Sequence, residues 1–520
     1  MERGNITYTI IPAGHDLETI VVNAGGRSVP LHSRVNPERD ADLLKDRFDP
    51  SRYDFLIILG VGLGYHCLPL RDMINRYSRV ILIDILEGIH NAIEKNRLTS
   101  FLTADPRITL VTGKTTGEIE EMLTGLIDMD TVRGISVVEH PASVRLFGDY
   151  YGAVKKSIDK IINIKAGNRA TLKAFGTRYL RNIMLNLPLM GRVRPVRHLY
   201  NAFAGYPVII TGSGPSLDHD APAIARLQER FFIIAVDSAL PALLGRGIEP
   251  DIVISIDPQP YVYEHVQGCR CGHALPVHSL SSHPLVMKKM PGYLSLNSHP
   301  FSQLAAEVYG DGIGSIDSAT GSVAGDAVSL AARCGFSHIG MTGLDFCFPG
   351  FAIYARGTAY QKRYGVFFND RFATVEGLNM SYILRSSGGV RHGKAFTRKS
   401  FLQYRQALED YIRNNAPGQV SFLNEQGLDL AGTDRVTVED FSHLRCSAVI
   451  DKRNIIASLH RSSQPVDARP LAAAMKRIVN EKLFGDLLEA SLGNAVNGRK
   501  RERYRALALN AIRSMEGLES

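Results

Sequence analysis

Short apolar runs alternate with amphipathic stretches along most of the chain, and glycine-containing turns join them. The segment YDFLIILGVGLGYHCLPL, residues 53–70, predicts a strand, a glycine turn and a helix, and VIITGSGPSLD, residues 208–218, begins a second such unit. Continuous apolar strands between helices are typical of parallel sheets that are covered on both faces. The pattern therefore predicts an α/β protein with two Rossmann-like domains.

The same pattern divides the chain into four segments. Residues 1–150 and 205–435 carry the two α/β alternations, while residues 151–204 have helical periodicity and many Lys and Arg. Residues 436–520 show helical periodicity again. We therefore expect an N-terminal Rossmann-like domain, a helical connector, a central α/β domain and a helical C-terminal domain.

Composition narrows the class of protein. Apolar residues make up 45% and charged residues 22% of 520 positions, as in soluble globular proteins. The chain shows no signal-peptide pattern and no apolar run of membrane-spanning length, and six cysteines do not make a disulfide framework. We expect a cytoplasmic protein without a membrane span.

The net charge of +8 favours an anionic ligand or partner. Charge alone leaves open a nucleic acid, a membrane surface and the phosphate of a nucleotide sugar. The basic connector lacks a recognised nucleic-acid motif and interleaved aromatic residues, so we interpret it as a solvated helical face and expect no nucleic-acid partner.

The second glycine turn predicts a binding site. Gly212 and Gly214 allow the backbone to approach a ligand closely, Pro215 stiffens the turn, and Ser213 and Ser216 supply hydroxyl groups. Peptide N–H groups at the start of the following helix can bind a phosphate. We therefore expect an anionic ligand at this turn.

Polar residues also follow the later strands of this domain. Because the carboxyl ends of parallel strands face one crevice, these residues predict a nucleotide site, although each Asp taken alone could simply cap a helix. The predicted nucleotide-binding residues are Gly212, Ser213, Gly214, Pro215, Ser216, Asp237, Ser238, Asp257, Thr320, Gly321 and Ser322, with Asp345 organising the site.

The first glycine turn is less specific. Its pattern is Gly60-x-Gly62-x-Gly64, and Tyr65 stands where a dinucleotide-binding fingerprint would have its third glycine. The spacing is nearer to that of S-adenosylmethionine methyltransferases, with Asp84 as a ribose ligand. A tight turn that binds nothing is the other interpretation, and both remain open.

Several longer segments resemble one family. GSGPSLD, VDSALPALLGRGIEPDIVISIDP, TGSVAGDAVSLAARCGFSHIGMTGLDF and NEQGLDLAG resemble the motility-associated factor proteins, and LHSRVNPERDADLL and ILGVGLGYH fit their N-terminal domain. These bacterial glycosyltransferases place nine-carbon, sialic-acid-like sugars on flagellin, and their central domain is similar to bacterial sialyltransferases. The resemblance covers roughly residues 25–435.

The resemblance implies a reaction. It implies inverting transfer of a nonulosonic acid, of the pseudaminic or legionaminic type, from a CMP-activated donor to Ser or Thr of flagellin, without a metal or other cofactor. Tyr354 resembles the tyrosine that assists the leaving phosphate in sialyltransferases, and Cys347 occupies the place of their second tyrosine. His392 is the candidate general base, with a solvated loop histidine as the alternative.

Other interpretations stay open. The central motifs also resemble those of a 6-hydroxymethylpterin pyrophosphokinase, which would use ATP and Mg²⁺, and the chain could be a non-catalytic flagellin-binding adaptor. A group of Cys and His residues could bind zinc, but its C-x-C spacing is unusual, and a loop with incidental thiols is preferred. This group comprises His265, Cys269, Cys271, His273, His278 and His283.

Overall fold

Buried strands and the helices that cover them form two units. The computed structural model describes residues 6–24, 26–127, 132–369, 371, 373–386, 391–392, 395–423, 426–446, 448–493 and 496–517. Contacts divide the chain into a first unit, Met1–Ala174, and a second unit, Phe175–Ser520. The division falls inside one long helix, Gly148–Asn186. It therefore differs from the predicted boundary at residue 150, and the predicted connector is shared between the two units.

The first unit contains the following elements. Its strands are β1 (Thr7–Ala13), β2 (Leu17–Ala24), β3 (Arg27–Pro30), β4 (Phe55–Leu59), β5 (Arg79–Asp84), β6 (Ile108–Thr112) and β7 (Ile135–Glu139). Its helices are α1 (Arg39–Leu44), α2 (Leu70–Met73), α3 (Ile89–Lys95), α4 (Phe101–Ala104), α5 (Thr116–Leu126), α6 (Pro141–Leu146) and α7 (Gly148–Asn186), which continues into the second unit.

Two sheets are seen among the described residues of the first unit. Strands β1, β2 and β3 form an antiparallel sheet, and a parallel sheet has the order β6-β5-β4-β7. All residues of β4 are buried, with Leu56 and Ile58 in one apolar cluster and Phe55, Ile57 and Leu59 in another. Because side chains alternate along a strand, the two clusters lie on opposite faces of the sheet. The predicted Rossmann-like arrangement is present here.

The second unit contains the following elements. Its strands are β8 (Arg194–Pro195), β9 (Pro207–Thr211), β10 (Phe232–Val236), β11 (Ile252–Ile254), β12 (Leu275–Ser279), β13 (Tyr293–Ser295), β14 (His338–Thr342), β15 (Arg391–His392), β16 (Ala395–Phe396), β17 (Val420–Phe422) and β18 (Asp434–Arg435). Its helices are α8 (Leu217–Leu227), α9 (Leu240–Leu244), α10 (Val262–Val266), α11 (Pro284–Lys289), α12 (Pro300–Tyr309), α13 (Val323–Arg333), α14 (Ala359–Gly365), α15 (Val375–Ser386), α16 (Lys399–Asn415), α17 (Val438–Arg445), α18 (Lys452–Ser462), α19 (Arg469–Ile478), α20 (Lys482–Leu492) and α21 (Gly498–Met515).

A parallel sheet organises the second unit. In the part of the chain that the structure describes, its order is β18-β17-β14-β9-β10-β11-β12-β13-β8. From β9 the chain proceeds through β10 to β13 on one side and then crosses to β14 on the other side. The strand order therefore reverses between β9 and β14, which is where open α/β sheets form their ligand crevice.

The C-terminal helices belong to the same unit. Phe441 of α17 and Ile456 of α18 lie in the apolar cluster that contains β9, while α19, α20 and α21 share a second cluster with the end of α7. Residues 436–520 are largely helical, as predicted, but they pack as part of the second unit. No helix among the described residues combines the length and apolar character needed to cross a lipid bilayer.

Candidate functional site

The turn after β9 lies against the loop that follows β14. The Gly212 N–H donates to Thr342 O at 2.8 Å, and the Gly214 N–H donates to Gly343 O at 2.8 Å. A Cβ atom at either glycine would lie within 3.0 Å of the Gly343 carbonyl oxygen. The sequence predicted that these glycines admit a ligand, but in the structure they admit the neighbouring loop of the protein.

Asp345 occupies part of the predicted phosphate cradle. Its Oδ2 accepts a hydrogen bond from the Ser216 N–H at 3.1 Å, and the Ser216 hydroxyl accepts one from the Gly343 N–H at 3.1 Å. Ser216 precedes α8, so a buried carboxylate stands at a helix end where a phosphate was expected. Asp345 thus holds the start of α8 against the loop after β14, and the buried Ser213 hydroxyl accepts a hydrogen bond from the Ser238 hydroxyl at 2.8 Å.

Two carboxylates line the next strand ends. Asp237 follows β10 and is 4% exposed; its Oδ2 accepts from the Ser255 hydroxyl at 2.6 Å, and its Oδ1 lies 3.2 Å from His265 Nδ1. Asp257 follows β11 and accepts from the Gln259 N–H at 2.9 Å and from the Tyr261 hydroxyl at 3.0 Å. Burial raises the pKa of Asp257, while these two hydrogen bonds lower it.

Tyr354 lies beside the glycine turn. The adjacent Ala355 N–H donates to Ser213 O at 2.8 Å, which fixes this segment against the turn. Desolvation raises the pKa of Tyr354, the Arg398 guanidinium lowers it, and the carboxylates of Asp257 and Asp237 raise it further. The phenol therefore keeps its proton at neutral pH, and the side chain is 41% exposed.

The hydroxyl groups of the Thr320-Gly321-Ser322 turn are mostly hydrogen-bonded to neighbouring residues. The Thr320 hydroxyl lies 2.9 Å from the Ser318 hydroxyl, and the Ser322 hydroxyl caps α13 by accepting from the Gly325 N–H at 3.2 Å. Gly321 has a φ of 71°, a left-handed conformation that favours glycine, and it is exposed. Of the three predicted residues, Gly321 is the one that offers an open backbone surface.

The structure adds residues that the sequence did not assign to this site. Tyr261 and His265 lie on or next to α10, with ring centroids 5.7 Å apart, and each contacts a strand-end Asp. The Arg398 guanidinium lies over the Tyr382 ring and donates to its hydroxyl at 3.1 Å. The signal for His265 was the Cys and His cluster, for which a loop with incidental thiols was preferred over a zinc site.

That cluster does not converge on one point. His273 faces Glu249 and Asp251 at 3.3 and 3.7 Å, whereas the His278 ring nitrogens lie 3.2 and 2.7 Å from the carbonyls of Ser255 and Met290. Since His265 contacts Asp237, each of these three histidines is bound to a different set of partners. His392 lies in β15, where the structure describes its backbone; its side chain lies outside the described residues.

Comparisons with known proteins identify the fold and the family of the central region. Residues 181–350 match the family described as 6-hydroxymethylpterin diphosphokinase MptE-like. Over 98% of its length the chain superposes on 88% of the MAf glycosyltransferase from Magnetospirillum magneticum AMB-1, with a TM-score of 0.60 and 14% identity. The chain has the Maf glycosyltransferase fold.

Relatives in Treponema pallidum (strain Nichols) are uncharacterised proteins. One is 26% identical over 223 residues and another 31% identical over 212 residues, which is 42% and 40% of this chain. The aligned segments span 39% and 45% of these relatives. The resemblance seen in the sequence is thus confirmed for the Maf fold and for the MptE-like central region.

The first glycine turn, which lies in the first unit, is closed by the protein's own side chains. Asp84 Oδ2 accepts from the Val61 and Gly62 N–H groups at 2.6 and 2.9 Å, and His32 Nε2 accepts from the Leu63 N–H at 2.8 Å. Asp84 was the candidate ribose ligand, but its carboxylate is bonded to the turn. The geometry favours the interpretation of a structural turn.

Behind this turn lie three buried imidazoles. Within the described ranges, the side chains near enough to share a metal ion are His32, His66 and His140. Both His32 nitrogens are engaged, because Nδ1 lies 2.6 Å from Asp40 Oδ2 and Nε2 accepts from Leu63. The His66 and His140 rings stack at 4.4 Å with a 13° interplanar angle, so their in-plane lone pairs do not converge on one ion. We therefore interpret the group as a neutral, packed cluster.

This cluster predicts that the first unit loses stability in acid. Burial lowers the pKa of His66 to about 3, against about 6.5 in an unfolded chain, so folding excludes a proton between these pH values. The contribution of neutral His66 to the free energy of unfolding has its full value above pH 6.5. It decreases by about 1.4 kcal/mol for each pH unit below 6.5. We expect the free energy of unfolding of the first unit, measured with urea, to be roughly 2 kcal/mol lower at pH 5 than at pH 7.

Replacing His66 should reduce that dependence. Among the described residues the His66 ring makes at most a weak contact with the Gly60 backbone, so His66→Phe removes the titrating group at little cost in hydrogen bonding. His90→Gln, at an exposed position on α3, serves as the control. A His66→Phe variant with the full acid sensitivity of the wild type would show that other groups cause it.

Proposed function

We propose that this protein is a glycosyltransferase of the motility-associated factor family that transfers a nonulosonic acid from a CMP-activated donor to Ser or Thr of flagellin, in the cytoplasm. The observation that carries the proposal is the Maf fold over 98% of the chain, with a strand-end crevice that contains Asp237, Asp257 and Tyr354. A phenol that keeps its proton can donate a hydrogen bond to a departing phosphate.

The chemistry follows from the donor. The anomeric carbon of a nonulosonic acid is tertiary and carries a carboxylate, so the transition state should resemble an oxocarbenium ion. The main catalytic demand is then to stabilise the leaving phosphate by donors that are already in position. The Tyr354 hydroxyl would donate to this phosphate, and the hydroxyls of Ser213 and Ser238 would help to hold it. Attack from the opposite face inverts the anomeric centre, and no step requires a metal.

A pyrophosphokinase is the second candidate, because residues 181–350 match the MptE-like family. That reaction would require ATP and Mg²⁺ at the same crevice. The Maf match also covers the first unit and the C-terminal helices, which the shorter MptE-like region leaves unexplained. We therefore prefer sugar transfer.

Ligand-induced stabilisation separates these proposals. CMP, UDP, ATP with Mg²⁺, and S-adenosylmethionine are compared by thermal unfolding of the full chain. A ligand at a hundred times its Kd should add about 2.7 kcal/mol to the part that binds it. We expect a shift with CMP. A shift with ATP and not with CMP would support the pyrophosphokinase, and no shift with any nucleotide would favour the adaptor.

A further inference from the structure

A histidine and a buried carboxylate form a pair at the candidate crevice. His265 lies on α10 and is partly buried, with its Nδ1 3.2 Å from Asp237 Oδ1. The other Asp237 oxygen is held by the Ser255 hydroxyl at 2.6 Å, so the carboxylate has a fixed orientation. A carboxylate beside Nδ1 keeps the imidazole proton on that nitrogen and leaves the Nε2 lone pair available.

We infer that His265, oriented by Asp237, is the general base that removes the proton from the acceptor hydroxyl. The inference rests on the proposed sugar transfer. No residue that the structure describes is seen to hydrogen-bond to His265 Nε2, and the ionisable groups that face the ring are Asp237, Asp257 and Tyr261. The Ser238 hydroxyl, next to Asp237 in the chain, donates to the Ser213 hydroxyl, and the Ser213 carbonyl accepts from the Ala355 N–H, so Tyr354 is attached to the same group of strand-end loops as the base.

The step balances as a substitution. The acceptor oxygen attacks the anomeric carbon and its proton moves to His265 Nε2, while the bond from that carbon to the phosphate oxygen breaks and its electron pair leaves with CMP. The imidazolium is stabilised by Asp237 and afterwards releases its proton to solvent. Asp237 acts through His265 and is a positioning residue.

The test compares transfer with donor hydrolysis. CMP release from CMP-pseudaminic and CMP-legionaminic acid is measured with and without flagellin of the source organism. His265→Asn places an amide N–H near Asp237 but has no basic nitrogen. We expect its flagellin-dependent rate to fall about 100-fold, with slow hydrolysis and stabilisation by CMP retained. Imidazole in the buffer should restore part of the rate to His265→Ala.

A second His–Asp pair supplies the control. His219 Nδ1 lies 3.0 Å from Asp220 Oδ1 on α8, where the histidine side chain is 62% exposed, so His219→Asn should leave the rate unchanged.

Asp237→Asn tests the positioning role. This variant should lower the transfer rate, and the pH at which the rate declines in acid should be lower than in the wild type, because the imidazolium loses a favourable charge. A purely structural Asp237 would leave that pH unchanged.

The outcomes separate the two proposals. Full flagellin-dependent activity in His265→Asn would overturn the base assignment and leave sugar transfer standing. Loss of CMP stabilisation in this variant would also overturn it, since His265 would then be a donor ligand. A wild-type protein that releases no CMP from either donor would contradict the proposed function itself, and the base assignment with it.

Discussion

Gly212→Ala is expected to destabilise the second unit by about 3 kcal/mol, because the new methyl group would press on backbone that cannot move aside. A Cβ at this position falls within 3.0 Å of the Gly343 carbonyl, and the same turn is tied to β14 through Thr342. The strain therefore acts at the point where the strand order reverses. Urea unfolding should show a lower midpoint for the second unit.

Gly272→Ala is the matched control for this prediction. A Cβ at Gly272 meets nothing within 4 Å, and its backbone is outside the left-handed region, so the substitution should be nearly neutral. The first unit provides an internal reference in the same experiment. Equal midpoints for the two variants would show that the contact between the turn and the β14 loop is loose in solution.

Tyr354→Phe is expected to lower kcat for CMP-dependent transfer by about 100-fold and to change CMP affinity by less than about threefold. In the proposed reaction the phenol would donate to charge that develops on the leaving phosphate, and removing one such donor typically costs a factor of that size. The ring itself remains packed against Tyr360, with centroids 5.0 Å apart, so the fold should be unchanged. Steady-state kinetics and CMP-induced stabilisation measure the two quantities separately.

A tyrosine from the same aromatic row provides the comparison. Tyr364 lies one ring further along, 4.7 Å from Tyr360, and Tyr364→Phe should retain wild-type turnover. If both variants lose activity equally, the row acts as a packing element. If neither does, Tyr354 takes no part in the reaction.

The sequence was sufficient to predict the sheets and the strand ends. Apolar runs such as Val208–Ile210 are buried as expected, and the parallel strands bring Asp237 and Asp257 to one edge, because strand direction alone decides this. Tyr354 reaches the same edge. These predictions needed only periodicity, turn residues and the geometry of parallel sheets.

What lies opposite each turn was not predictable. Gly212 and Gly214 were assigned to a ligand, yet they face Gly343 and Asp345, which are distant in sequence. The same limit applies to Asp84, whose carboxylate closes the first turn. A glycine indicates close approach, but pairing between distant segments determines whether a ligand or the protein itself approaches.

His265 shows the same limit. Its sequence neighbours are cysteines and histidines, for which a loop with incidental thiols was preferred over a zinc site, and neither interpretation indicated its spatial partner, an aspartate that follows strand β10. The partner depends on how the short helix α10 is placed over the sheet. Sequence spacing does not contain that information for a helix this short.

The edge strands of the large sheet limit how strands of other proteins can pair with it. Its outermost strands, β8 and β18, have two residues each; Pro195 lacks an N–H group, and Asp434 and Arg435 are charged and exposed. Long, flat edges invite strand addition by other chains, and short edges with charge or proline prevent it. Pairing with a strand of another chain is therefore disfavoured at this sheet, because neither of the two edges that the structure describes offers a long row of unpaired peptide groups.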